Sequence, residues 1–122
     1  MSKSVDISNK CPMNITFNIL DGKYKLKILW HLSEGTVRFN ELQRLIGNIT
    51  QRTLTMQLKQ LEEDQLIYRR VYPESPPKVE YGLTAIGESV KSVLSIMCEW
   101  GKEYSKMIDK KHIVERSKTY YQ

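Results

Sequence analysis

The chain has 122 residues, 40% of them hydrophobic and 27% charged, with a formal net charge of +5 at pH 7 and an isoelectric point near 9.2. That length supports one core and not two comfortable domains, and the apolar content is that of an ordinary globule rather than a disordered chain. No apolar run approaches the roughly 18 residues that would suggest a membrane span.

The first residues, Met1-Ser2-Lys3-Ser4-Val5-Asp6, lack the basic and then apolar layout of a signal peptide. Two cysteines, Cys11 and Cys98, make a poor disulfide framework. A cytoplasmic protein with no membrane partner is therefore expected. The positive balance favours a polyanion, although many basic proteins never touch nucleic acid.

In chain order, residues 1–10 are polar and read as a flexible N-terminal arm. Cys11-Pro12 opens a first helix, because proline fits the first helical position, and Asp21-Gly22 ends it. Tyr24, Ile28, Leu29 and Leu32 recur at helical spacing and predict a second helix from about Lys23 to Leu32. Ser33-Glu34-Gly35 is a turn, and Thr36-Val37-Arg38 suits a short strand. Phe39, Leu42, Leu45 and Ile46 form the next helical stripe, stopped by Gly47-Asn48.

Thr50 then suits the N-cap of a helix reaching Asp64, since its hydroxyl can accept from an early orphan amide. Leu54, Leu58 and Leu61 lie on one face of that helix. At about 100° per residue the opposite face carries Arg52, Met56, Lys59 and Glu63, flanked by Thr55 and Gln60. Glu62, Glu63 and Asp64 crowd its C-terminal end and read as a solvated helix end. Acids there oppose the helix dipole and would repel phosphate, so only the N-terminal half suits DNA.

Ile67–Tyr72 and Val79–Leu83 are β-prone, and the proline-rich stretch Pro73-Glu74-Ser75-Pro76-Pro77 joins them as a stiff hairpin tip. Thr84 suits the cap of one last long helix. In it Ile86, Val90, Val93, Met97, Trp100, Tyr104 and Met107 follow spacings of 4, 3, 4, 3, 4 and 3, a heptad seam. A seam of that length calls for a cover, and an identical helix supplies one. Ile86, Val90, Val93, Met97, Trp100 and Tyr104 are thus the expected dimer interface, with help from the first helix. Residues 111–122 read as a polar tail, leaving 11–110 as the DNA-binding and dimerisation domain.

The expected fold is mainly α with a small β-hairpin wing: a winged helix-turn-helix with added N- and C-terminal dimerisation helices. The residues resemble the HxlR-type branch of the MarR-like winged-helix regulators from about Cys11 to Gly101. The resemblance rests on an ordered series: Cys11-Pro12, Gly22-Lys23-Tyr24, Arg38-Phe39-Asn40-Glu41-Leu42, Ile49-Thr50-Gln51-Arg52-Thr53-Leu54-Thr55, Leu58-Lys59-Gln60-Leu61-Glu62, Pro77-Lys78-Val79-Glu80-Tyr81-Gly82-Leu83-Thr84 and Trp100-Gly101. Tyr24 stands where the family usually carries tryptophan, and Gln65 where it commonly has glycine. A left-handed glutamine there costs roughly 1 kcal/mol.

The resemblance implies a bacterial transcriptional regulator, a homodimeric repressor on a pseudo-palindromic operator in double-stranded DNA. It places the Thr50–Asp64 helix in the major groove and the hairpin on backbone or minor groove. It also implies that Cys11 senses electrophiles or oxidants, as the matching cysteine does in several relatives.

From the residues themselves, Arg52 suits guanine O6 and N7, Gln51 suits adenine, and Thr55 and Met56 suit a thymine methyl. Arg52 serves equally as a phosphate contact. Lys59, Arg69, Arg70 and Lys78 suit phosphate; Arg38 either meets phosphate or braces the strand. Cys11 reads as a reactive thiol at a helix N-terminus or as a half-buried cap residue. Cys98 reads as structural, and a Cys11–Cys98 bridge across a dimer needs Cα atoms within about 7 Å.

His31 and His112 lack ligand spacing, so neither a metal nor a cofactor is expected. No phosphate loop, nucleophile elbow or carboxylate pair supports an enzyme. Two alternatives stay open: a small-ligand-responsive regulator without thiol chemistry, and a winged helix used only for protein interaction.

Overall fold

The computed structural model describes residues 11–110; the expected arm at 1–10, the tail at 111–122 and His112 lie outside them. The chain falls into two compact units, Met1–Lys91 and Ser92–Gln122.

In the first unit α1 spans Pro12–Leu20, with Cys11 at its N-cap and Pro12 at its first position. None of its residues is buried. Next comes α2, Lys25–Leu32, which starts two residues later than its periodicity suggests because Tyr24 takes the cap position. Its inward face is Lys25, Ile28, Leu29 and Leu32. The short strand β1, Val37–Arg38, leads directly into α3, Phe39–Ile46. Gly47 and Asn48 both take positive φ, 67° and 48°, and reverse the chain toward the next helix. Two side chains brace that turn: Tyr24 Oη donates to the Asn48 carbonyl at 3.3 Å, and Gln43 Nε2 to that of Ile49 at 3.1 Å.

Helix α4 spans Gln51–Glu63. Thr50 caps it, its hydroxyl accepting from the Thr53 amide at 3.0 Å. Leu54, Leu58 and Leu61 are buried. At the C-terminus the Leu66 amide donates to the Leu61 carbonyl and the Gln65 amide to that of Glu62, each at 3.0 Å. Gln65 has φ +66°. This is a Schellman closure with glutamine in the left-handed position where glycine is the usual choice. Leu66 and Leu61, the apolar pair of that motif, are both buried. Gln65→Gly is expected to stabilise the protein by about 0.5–1 kcal/mol, relief of the left-handed penalty being partly offset by unfolded-state entropy. A denaturation midpoint that stays put or falls would contradict this.

Asp64 departs from the expected solvated end. It is partly buried, and that burial raises its carboxyl above the ordinary range, opposed by nearby Lys25 and reinforced by Glu63. Glu62 and Glu63 are exposed.

Strands β2, Ile67–Tyr72, and β3, Lys78–Leu83, form the hairpin. Periodicity does not reveal that β3 is central: the order is β1-β3-β2, all antiparallel, with Val37 opposite Tyr81 and Arg38 opposite Glu80. The first helix of the helix-turn-helix is thereby tied to the hairpin. Ile28, Leu29, Leu32, Leu42, Leu54, Leu58, Leu61 and Ile67 make the core, where α2 meets α3 and α4, and α4 meets β2.

The long final helix of the sequence reading is interrupted. Thr84 caps only the short α5, Ala85–Glu88, and α6 begins at Lys91. At the break the Ser89 hydroxyl donates to the Ile86 carbonyl, and the Ser89 and Val90 amides donate three residues back, to Ile86 and Gly87. Serine bonded back to the preceding turn, followed by a β-branched valine, loosens an α-helix at that point. Ile86 and Val90 therefore do not belong to the helix that carries Val93 through Met107. That helix, α6, runs over Lys91–Lys110.

Candidate nucleic-acid interface

The leucine face of α4 is turned into the core, which leaves Gln51, Arg52, Thr55, Met56 and Lys59 exposed on its outer side. The Thr50 hydroxyl is held locally, by the Thr53 amide and by the Thr53 hydroxyl at 2.9 Å. Beside the first turn of α4 lies an open cleft of about 700 Å³, walled by the start of α3 and by the hairpin. Arg38, Asn40, Gln51, Thr55, Arg69 and Lys78 line it. Arg52, Met56, Lys59 and Arg70 are not among its walls. Asn40 is an addition to the expected residues, and its place in the first turn of the first motif helix was the available signal.

The hairpin divides its cations between two faces. Ladder register places Arg69 opposite Tyr81 and Arg70 opposite Glu80, and neighbouring strand residues point to opposite sides. Arg69 is on the cleft side, where burial raises the Tyr81 hydroxyl above its ordinary pKa and an Arg69 hydrogen bond opposes that shift. Arg70 is on the other side, 5.3 Å from the Tyr68 ring. Contact with the Tyr72 hydroxyl chiefly holds its guanidinium above its usual pKa. Lys78 is less free than the sequence suggests: Nζ is 3.3 Å from Glu80 Oε2 and 4.6 Å from the Tyr72 ring centroid. The Tyr72 hydroxyl donates to Glu80 Oε1 at 3.2 Å.

Cys11 is exposed and free; its carbonyl accepts from the Asn14 and Ile15 amides, while its side chain makes no cap bond. Cys98 is free and half-buried. Of the expected dimer residues, Ile86 is exposed on α5 and Val90 half-buried beyond it. On α6, Val93, Met97 and Trp100 are exposed and Tyr104 is half-buried. Trp100 and Tyr104 stack with ring centroids 5.3 Å apart. Ile96, 70% exposed, widens this apolar face and lies outside the 4, 3 spacing of the seam. Among the described residues no group of three or more His, Cys, Asp or Glu side chains could hold a metal, and no helix is long and apolar enough to cross a membrane.

A helix pair with a tight turn, joined through a three-stranded sheet to a basic hairpin, defines a winged helix-turn-helix protein. The chain belongs to the HxlR-like helix-turn-helix family, whose model matches residues 19–109. It is 47% identical over 107 residues to YdeP of Bacillus subtilis, an uncharacterised HTH-type transcriptional regulator, covering 88% of this chain and 84% of that one. The oxidised form of the redox regulator HypR superposes with a TM-score of 0.72 at 43% identity, over 76% of this chain and 96% of HypR. The reduced form of YodB, a transcriptional regulator from Bacillus subtilis, superposes with a TM-score of 0.68 at 34% identity, over 78% and 94%. The protein is a transcriptional regulator of helix-turn-helix type and not an enzyme.

Proposed function

We propose that this regulator is a homodimeric repressor that reads a pseudo-palindromic operator and releases it when Cys11 is modified. The observation carrying the DNA reading is the polar, basic outer side of α4, exposed beside the cleft and backed by three buried leucines. Gln51, Arg52, Thr55 and Met56 meet base edges in the major groove, with Thr50 holding the helix start. Lys59, Arg38, Arg69 and Arg70 meet phosphates, which supply salt-dependent affinity without sequence choice.

Dimerisation is supported by the exposed apolar side of α6 and by α1, which carries Phe17 at 59% exposure and buries nothing. Exposure of the Cys11 thiol and the likeness to a protein known as a redox regulator support the thiol response.

Selection of bound duplexes from random DNA, with and without diamide, tests these points together. A two-fold motif with half-sites about 10–10.5 base pairs apart is expected. Arg52→Ala should relax base choice at one position per half-site, a discrimination of about 1–3 kcal/mol. Cys11→Ser should keep the motif and lose the diamide response. Failure to enrich any sequence would instead support a protein-interaction module. A diamide response surviving in Cys11→Ser would rule out this thiol as the sensor.

A further inference from the structure

We infer that Glu80 is an internal counter-ion that withholds Lys78 from DNA phosphate, so that Arg69 and Arg70, and not Lys78, carry the hairpin's phosphate contacts. The inference rests on the DNA-binding reading above.

Glu80 lies on the central strand, registered opposite Arg38 of β1 and opposite Arg70 of β2. Lys78 is two residues back on the same strand and therefore on the same side. One carboxylate thus stands among three cations at the hairpin. Its closest charged partner is Lys78, whose Nζ lies 3.3 Å from Oε2. The pair is sheltered: the Lys78 and Glu80 side chains are only 25% and 16% exposed. Solvent screening is weaker for such a pair than for a fully exposed one. The Tyr72 ring lies under the ammonium, and its hydroxyl donates to the other carboxylate oxygen at 3.2 Å. Both partners are held in place from the same residue.

A phosphate approaching Lys78 meets a lysine whose charge is already balanced and a carboxylate of its own sign. Recruiting Lys78 requires parting it from Glu80, which removes the gain that a free lysine would bring. Among the described residues Arg69 has no carboxylate within ion-pair distance, and its hydrogen bond is to the neutral Tyr81 hydroxyl. It is registered across from Tyr81 and lines the cleft with Gln51 and Thr55; Lys78 lines the same cleft, but with its ammonium paired to Glu80.

The test is the salt dependence of binding to a short duplex of random sequence, where affinity is almost entirely electrostatic and each phosphate neutralised adds about 0.9 to the slope of log affinity against log salt. Glu80→Gln keeps an acceptor for the Tyr72 hydroxyl while removing the charge. It should steepen the slope by about 0.9, and adding Lys78→Ala to it should return the slope to that of the unaltered protein. Arg69→Ala should flatten the slope by a similar amount. Thermal melting of each variant establishes that it is folded.

An unchanged or flatter slope in folded Glu80→Gln overturns the inference. So does a loss of about 0.9 on Lys78→Ala alone, an arm that decides the matter even where Glu80→Gln fails to fold. Absence of salt-dependent binding by the unaltered chain would instead sink the DNA-binding reading, and this inference with it.

Discussion

Gly87→Ala is expected to lower the melting temperature by roughly 10–20 °C, from a destabilisation of about 2–3 kcal/mol in a domain of this size. Gly87 sits in α5, where its amide donates to the Thr84 hydroxyl at 3.0 Å. The Thr84 hydroxyl donates in turn to the Gln65 carbonyl at 2.6 Å, and the Thr84 amide to that of Leu66 at 3.0 Å. These bonds lock α5 onto the residues that close α4. A Cβ at Gly87 would be driven into the Leu66 carbonyl oxygen and would lie 3.1 Å from its carbon and 3.2 Å from Leu83 Cδ2. The obstacle is backbone, so no rotamer change relieves it.

Gly82 gives the contrast. The three atoms nearest a Cβ there all belong to the Tyr68 side chain, Oη at 2.5 Å, Cζ at 2.6 Å and Cε2 at 2.8 Å, and a side chain, unlike backbone, can swing aside. Gly82→Ala should therefore cost only about 1 kcal/mol. Urea or thermal unfolding of the two variants measures both effects; equal losses would refute the distinction.

Helical spacing and capping chemistry carried much of the fold. Thr50 and Thr84 act as the N-caps their positions announce, and Leu54, Leu58 and Leu61 face inward together. What escaped the sequence reading was non-local. A two-residue strand has no periodicity, so the pairing of Val37 and Arg38 with the hairpin could be seen only in three dimensions. The heptad pattern from Ile86 onward ignored the Ser89-Val90 step, where a side-chain hydroxyl competes for a helix carbonyl. Alternation along Tyr68-Arg69-Arg70-Val71-Tyr72 already parts the two arginines, whereas residue type alone assigns Arg69, Arg70 and Lys78 alike to phosphate. The pairing of Lys78 is not legible at all, because sequence lists its cation without the carboxylate and ring that hold it.

Trp100→Asp should convert the proposed dimer to monomers at micromolar concentration and abolish tight binding to a two-fold DNA site. Trp100 is 64% exposed on α6 and stacks on Tyr104, with Ile96, Met97 and Val93 exposed nearby. Burying that face against a second copy is favourable at about 25 cal/mol per Å² of apolar surface. In a two-fold interface every substitution enters twice. An unpaired carboxylate desolvated there costs at least about 2 kcal/mol per copy, which raises the dissociation constant by a factor of roughly 10³ or more.

The fold of each protomer should survive, since Trp100 is largely solvent-exposed in the isolated chain. Far-ultraviolet circular dichroism should therefore remain that of a helical protein. Each monomer retains its reading helix, so weak half-site binding should persist while affinity for the full palindrome collapses toward it. Sedimentation equilibrium and titration of the selected duplex measure the two effects. An unaltered chain that sediments as a monomer at micromolar concentration, or a Trp100→Asp variant that still forms dimers, would move the interface elsewhere or remove it.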